Sequence, residues 1–139
     1  MYDCSCLRRK DLGMDNKELI EKIIKCAKTV RRQLAAGYEE KIYKNAMYIE
    51  MKKQGILVET EVPFKVYYDG IVIGDYRADL IADRRVIVEL KAVASLIKYH
   101  SVQLVNYLTA TGLNDGLLIN FGSEKLEIIP KTRLYYKKL

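Results

Sequence analysis

The sequence predicts a mixed α/β (α+β) domain built on a central mixed β-sheet flanked by helices. Three observations carry that prediction. Apolar residues recur at helical spacing through roughly the first third of the chain. Short runs rich in β-branched and aromatic residues, punctuated by turn residues, fill the middle. One more helical stretch then precedes two closing strands, giving the order α, α, a β meander, α, β, β.

The chain has 139 residues, half of them hydrophobic and 30% charged, the balance of one globular domain with a substantial core. Residues 1–14 show no periodicity and are expected to form a flexible N-terminal extension, with 15–139 a single domain. No apolar run approaches the ~20 residues that cross a bilayer, so no membrane partner is expected. Three cysteines with no leader segment point to a reducing, cytoplasmic setting. Cys4 and Cys6 lack a second ligand pair and His100 is the one histidine, so no metal set is built from Cys and His. The net charge of +6 permits a polyanionic partner without requiring one, since Arg8, Arg9 and Lys10, and Lys131, Arg133, Lys137 and Lys138, serve equally as solvated ends.

The elements follow in order. Asp15 with Glu18 three residues later is a helix start. Leu19, Ile20, Ile23, Ile24, Ala27, Val30 and Leu34 then keep helical spacing. Gly37 interrupts, and a second helix is expected over 38–54 with Gly55 as its stop. A strand over 56–62 ends at Pro63, and 65–68 leads into Asp69-Gly70, a hairpin signal from which 71–73 returns. Strands over 76–82 and 86–93 flank Asp83-Arg84-Arg85. A third helix over 94–111 stops at Gly112, and strands over 116–121 and 125–129 close the chain.

The strand after Arg85 carries the chemistry. Val86, Ile87, Val88 and Leu90 suit burial, yet Glu89 and Lys91 sit among them on one face. A buried charge is costly unless paired or bound to a metal. If the loop has three residues, Ala82 pairs with Val86, which places Asp79 opposite Glu89 and Arg77 opposite Lys91, with Cβ atoms about 5 Å apart, whereas a two-residue loop would face Asp79 to Leu90. Tyr76, Ala78, Leu80 and Ala82 then share the other face of the strand. Two carboxylates at that distance repel unless a cation lies between them. Hard oxygen ligands suit Mg²⁺ or Mn²⁺, which polarises a phosphoryl oxygen and lowers the pKa of a bound water. The Lys91 ammonium can hold that water or stabilise developing negative charge. Asp79, Glu89 and Lys91 are thus the parts of a metal-dependent phosphodiester hydrolase. The competing reading is a salt-bridged patch on a solvated sheet face.

Two helical patterns favour the hydrolase. Glu40 shares a helix face with Tyr43 and Met47, both expected in the core, whereas Glu39 points elsewhere and only complements the helix dipole. His100, Gln103 and Tyr107 form a polar-aromatic stripe beside an apolar one of Ile97, Leu104, Val105 and Leu108. Gln103 offers a donor and an acceptor to orient a water, a lysine or a phosphate.

Gly37-Tyr38-Glu39-Glu40-Lys41-Ile42-Tyr43 reads G-x-x-E-x-x-Y, and the chain from about Leu19 to Ile129 resembles the GxxExxY family of small prokaryotic proteins, placed in the PD-(D/E)XK nuclease superfamily. Arg77-Ala78-Asp79-Leu80, Val88-Glu89-Leu90-Lys91-Ala92, Gln103-Leu104-Val105-Asn106-Tyr107-Leu108 and Leu118-Ile119-Asn120-Phe121-Gly122 follow in the matching order. The resemblance implies a restriction-endonuclease-like core and a metal-dependent nuclease, with DNA the favoured substrate. Glu40 corresponds to the helical acid, Asp79 to the strand aspartate and Glu89-x-Lys91 to E-x-K. Gln103 and Tyr107 look like the Q-x-x-x-Y of RecB-like nucleases. On this reading Asp79, Glu89 and the Leu90 carbonyl hold Mg²⁺ or Mn²⁺, with Glu40 acting through water. Lys91 positions the attacking water, Gln103 and Tyr107 brace the site, and Arg77, Lys98 and His100 meet phosphates. No iron–sulfur cluster is expected, since relatives that carry one use four cysteines. The alternative is a non-catalytic nucleic-acid- or partner-binding module on the same fold. A compact basic core of this size would need a partner, or a homodimer, to grip a duplex.

Overall fold

The structure, a computed structural model, describes residues 16–133. The expected extension over 1–14, with Cys4 and Cys6, lies outside the described residues. The elements are α1 (Asn16–Gln33), α2 (Glu40–Lys53), β1 (Val58–Tyr68), β2 (Ile71–Ala82), β3 (Val86–Lys91), α3 (Lys98–Thr111), β4 (Asp115–Asn120) and β5 (Glu127–Thr132).

The five strands form one sheet in chain order. Every neighbouring pair is antiparallel except β3 and β4, which run parallel. A parallel pair needs a crossover, and α3 supplies it. Helices cover both faces. Ile23 and Ala27 of α1 and Tyr43, Met47 and Met51 of α2 pack on Leu80, Val88, Leu90 and Ile119. Leu104 and Leu108 of α3 pack on Ile81, Ile87 and Leu118. Central strand β3 is therefore apolar on both sides, which explains its unbroken hydrophobic run.

Several expected boundaries shift. The break at Pro63 does not occur: β1 continues to Tyr68 and β2 runs unbroken from Ile71. Strand β1 is an edge, where a missing N–H costs no ladder bond, and Pro130 in β5 occupies the opposite edge. Strand β3 ends at Lys91 rather than Val93, because the buried Asn120 amide takes both backbone groups of Val93. Helix α3 starts at Lys98 rather than Ala94, which leaves Ile97 outside the helix and 59% exposed instead of on an apolar stripe.

The expected faces of β2 also need correction. Ala78 packs with Val62 and Phe64 on the α3 side, whereas Leu80 and Ala82 pack against α1 and α2. In a flat strand these residues share one face. The hairpin turns over between the pairs Thr60–Leu80 and Val62–Ala78, where Glu61 has a φ of +49°. Asp79 lies at that turnover. Beyond it the hairpin leaves the sheet, and the β2–β3 ladder ends at Leu80–Val88.

Candidate active site

The loop before α2 is tied down by one ring. Gly37 has a φ of +121°, open to a residue without Cβ. The Tyr43 hydroxyl donates to the Ala35 carbonyl at 2.5 Å and accepts from the Tyr38 N–H at 3.1 Å. Its ring stacks on Phe121 with centroids 4.8 Å apart, and Arg31 holds the Phe121 carbonyl at 2.6 Å. The spacing G-x-x-E-x-x-Y thus has a mechanical meaning. Glycine makes the bend, and tyrosine locks it one turn into the helix. Glu40 is left as the first residue of α2, where the helix dipole favours its charge.

At the turnover, Asp79 and Glu89 replace the missing ladder bonds. The Asp79 N–H donates to Glu89 Oε1 at 3.0 Å, and the Leu90 N–H donates to Asp79 Oδ2 at 2.9 Å. The expected adjacency of the two acids holds, but through side chains binding backbone rather than through strand pairing. The expected pairing of Arg77 with Lys91 does not form. Arg77 lies in the departing hairpin opposite Pro63 and is exposed.

Glu89 is buried, 5% exposed. Burial, and then the charge of Asp79, pushes its carboxyl up to about 9. Burial also raises Asp79, against the Leu90 N–H and the Lys91 charge. Two buried acids this close share a proton unless a cation replaces it. Lys91 is the adjacent cation, and its Nζ reaches Gln103 Oε1 at 3.5 Å. Tyr107 lies near enough for Glu89 to help raise its hydroxyl to about 12, after burial. Glu40 feels the same group: its carboxyl is raised by burial and then by Asp79, and lowered by Lys91 and Lys44.

Among the described residues no three His, Cys, Asp or Glu side chains converge closely enough to enclose a metal ion. The donor set instead suits an ion held by two carboxylates with water and phosphate completing its shell. Mg²⁺ characteristically binds in that way. Asp79 and Glu89 fit such an ion by chemistry and by their unbalanced charge, and Glu40 faces them from α2.

The family model of the PD-(D/E)XK nuclease superfamily matches residues 17–131. The chain belongs to the PD-(D/E)XK nuclease superfamily. Glu89-Leu90-Lys91 has the (D/E)XK pattern in its sequence, with Asp79 in the strand before it. Among solved structures the chain is similar to the crystal structure of SSO0001, at 21% identity and a TM-score of 0.57. The likeness covers 69% of this chain and 50% of that one, so this chain spans about half that length. That likeness is one of fold. No curated protein matches the chain.

The domain's structure brings Asp79, Glu89, Lys91, Gln103 and Tyr107 together, with Glu40 facing them. Lys98 lies exposed at the start of α3. His100 caps that helix, its Nδ1 accepting the Ile97 N–H at 3.1 Å. Three contributors escape a reading of the sequence. Tyr76 packs against both Phe64 and Tyr107, which also touch each other, Lys44 pairs with Glu61 beside the turnover, and Asn120 fixes the chain after Lys91.

No helix among the described residues is long and apolar enough to cross a membrane.

Proposed function

We propose that this protein is a metal-dependent nuclease of the GxxExxY branch that hydrolyses phosphodiester bonds in DNA, in the cytoplasm, using Mg²⁺ or Mn²⁺. The observation that carries the reading is the reciprocal capping of Asp79 and Glu89 beside Lys91, at the point where the sheet splits. A divalent ion between the two acids would polarise the scissile phosphate and acidify its bound water. Asp79 and Glu89 would hold that ion with the Leu90 carbonyl, and Glu40 would reach it through water. Lys91 orients the attacking water and offsets the negative charge on the phosphoryl oxygens. Gln103 fixes the Lys91 ammonium, and Tyr107 walls the site beside Glu89. Arg77, Lys98 and His100 lie on exposed or half-buried surface suited to phosphates and provide salt-dependent affinity. A homodimer would widen that surface enough to grip a duplex.

The rival reading, a binding module without catalysis, is favoured by one observation: no third carboxylate closes on Asp79 and Glu89 among the described residues. One experiment decides. Purified protein is incubated with single-stranded, duplex and branched DNA in Mg²⁺, Mn²⁺ or EDTA, beside Asp79→Ala and Lys91→Ala. Metal-dependent cleavage lost in both variants supports the nuclease. Binding without cleavage in every metal supports the module.

A further inference from the structure

A groove of about 570 Å³ lies between the β1–β2 hairpin and the outer side of α3. That is within the roughly 300–1,000 Å³ of ligand clefts. Tyrosines line it from both sides: Tyr67 and Tyr76 from the hairpin, Tyr99 and Tyr107 from α3. Three of these rings are open to solvent, Tyr99 by 63%, Tyr67 by 47% and Tyr76 by 44%. Contiguous exposed aromatic surface of this kind marks a binding site more often than a solvated face.

The groove adjoins the carboxylate site through two residues. Gln103, which holds Lys91, and Tyr107, which lies beside Glu89, form its inner wall. Of the described residues lining it, Lys65 is charged and none is acidic. Lys65 pairs with Asp75 at 3.3 Å in an exposed bridge, a weak contact that a phosphate can replace. Asn106 adds an exposed amide to the lining. Ring faces with a cation at the rim suit a chain of flat bases joined by phosphates. A paired base in a duplex has both faces occupied by its neighbours and cannot stack on a tyrosine.

We infer that this groove seats the unpaired bases of a single-stranded nucleic acid, stacked on Tyr99 and Tyr67, while the adjoining phosphate enters the Asp79–Glu89 site and Tyr76, stacked on Phe64, backs the groove wall. The inference rests on the nucleic-acid reading above and narrows its substrate to single strands. Lys65 meets the backbone at the groove's edge. Recognition is tolerant of sequence, because every base presents a π face.

The test is binding by the full chain carrying Asp79→Asn in EDTA, so that cleavage does not intervene. Labelled single-stranded DNA, the same strand as a duplex, and a strand of equal length with abasic sugars are compared by fluorescence anisotropy. The single strand should bind at least about ten-fold tighter than the other two. Tyr99→Ala should weaken it by about ten-fold, the loss of one stacked base, while Tyr99→Phe keeps it. Tyr99 is exposed on α3, so both changes leave the core intact. Equal binding of the abasic strand or the duplex, or no effect of Tyr99→Ala, overturns the inference. A dimer that Tyr99→Ala dissolves, with strand binding unchanged, also overturns it and assigns the groove to a second copy. Catalysis is read separately, from metal-dependent cleavage by the unsubstituted protein. Tyr99-dependent strand binding without cleavage keeps the groove and removes the nuclease. Cleavage of duplex with Tyr99 immaterial does the reverse.

Discussion

Asp79 and Glu89 cap each other's strands: Glu89 Oε1 accepts the Asp79 N–H, and Asp79 Oδ2 accepts the N–H of Leu90. Each acid thereby satisfies a backbone donor that the splitting sheet leaves without a ladder partner. The same bonds hold two carboxyls side by side where burial disfavours ionising both without a cation. The arrangement is stable as architecture and unbalanced as electrostatics, which is what a cation site requires.

Asp79→Asn separates those two roles. The amide oxygen still accepts the Leu90 N–H, so the fold should persist with little change in Tm. On the proposed mechanism the lost charge removes metal-dependent cleavage. Lys91→Met, of similar length, should lower kcat on the order of 10²–10³-fold, the usual effect of removing one group that stabilises transition-state charge. Steady-state rates beside thermal melts of the same preparations check both.

The buried pair also sets a pH dependence. The folded-state carboxyl of Glu89 lies at about 9, against an ordinary 4.5. Between those values the folded protein holds more protons than the unfolded chain, so stability falls as pH rises through the window. Without metal, Tm should therefore decline from mildly acidic to alkaline pH. Mg²⁺ binds the ionised pair in the folded state only, so it should raise Tm most at the alkaline end. Glu89→Gln should flatten the slope and abolish the Mg²⁺ effect. Melting curves across pH with EDTA or Mg²⁺ measure it, and an unchanged slope in Glu89→Gln would contradict the assignment.

Much of this was legible because it depends on local rules. The three-residue turn over 83–85 fixed the pairing of Ala82 with Val86, which carries the ladder to Leu80–Val88, and side-chain bonds to backbone then join Asp79 and Glu89 beyond it. Helical spacing placed Tyr43 and Met47 in the core, with Glu40 exposed in the first turn of the same helix. What failed depends on departures from a regular strand. Counting back from the Asp69-Gly70 turn would oppose Phe64 to Asp75. A bulge between Val66 and Tyr67 slips the register by one and brings Tyr76 to Phe64. The groove of tyrosines follows from that slip, so alternation alone could not reveal it. The turnover at Glu61 likewise moves Ala78 to the opposite face from Leu80 and releases Arg77 from Lys91. The early end of β3 needed Asn120, some 27 residues beyond Val93.

Tyr43 tests whether the loop before α2 matters to chemistry. Tyr43→Phe keeps the stacking on Phe121 but loses the hydroxyl that joins Ala35 and Tyr38. Two backbone groups lose a partner, at about 1 kcal/mol each. Tm should fall measurably, and kcat should fall while KM changes little, since Glu40 rides on that loop and touches no substrate base. Restoration of kcat by added metal would show that Glu40 acts through the ion.

Gly122→Ala tests the support behind Lys91. A Cβ at Gly122 would collide with the backbone of Ala92 and Val93. That segment cannot retreat, because Asn120 binds both the N–H and the carbonyl of Val93, and the Phe121 N–H binds the Lys91 carbonyl at 2.9 Å. Room for the methyl would have to come from breaking that clasp and shifting the main chain from Lys91 to Val93. Overpacking a close-packed position costs roughly 1–3 kcal/mol, so the variant should melt several degrees lower. It should also lose activity out of proportion to the folded fraction, because the Lys91 ammonium would move off Gln103. Circular dichroism melts with rates normalised to folded protein check this; full activity per folded molecule would mean that the clasp supports the fold alone.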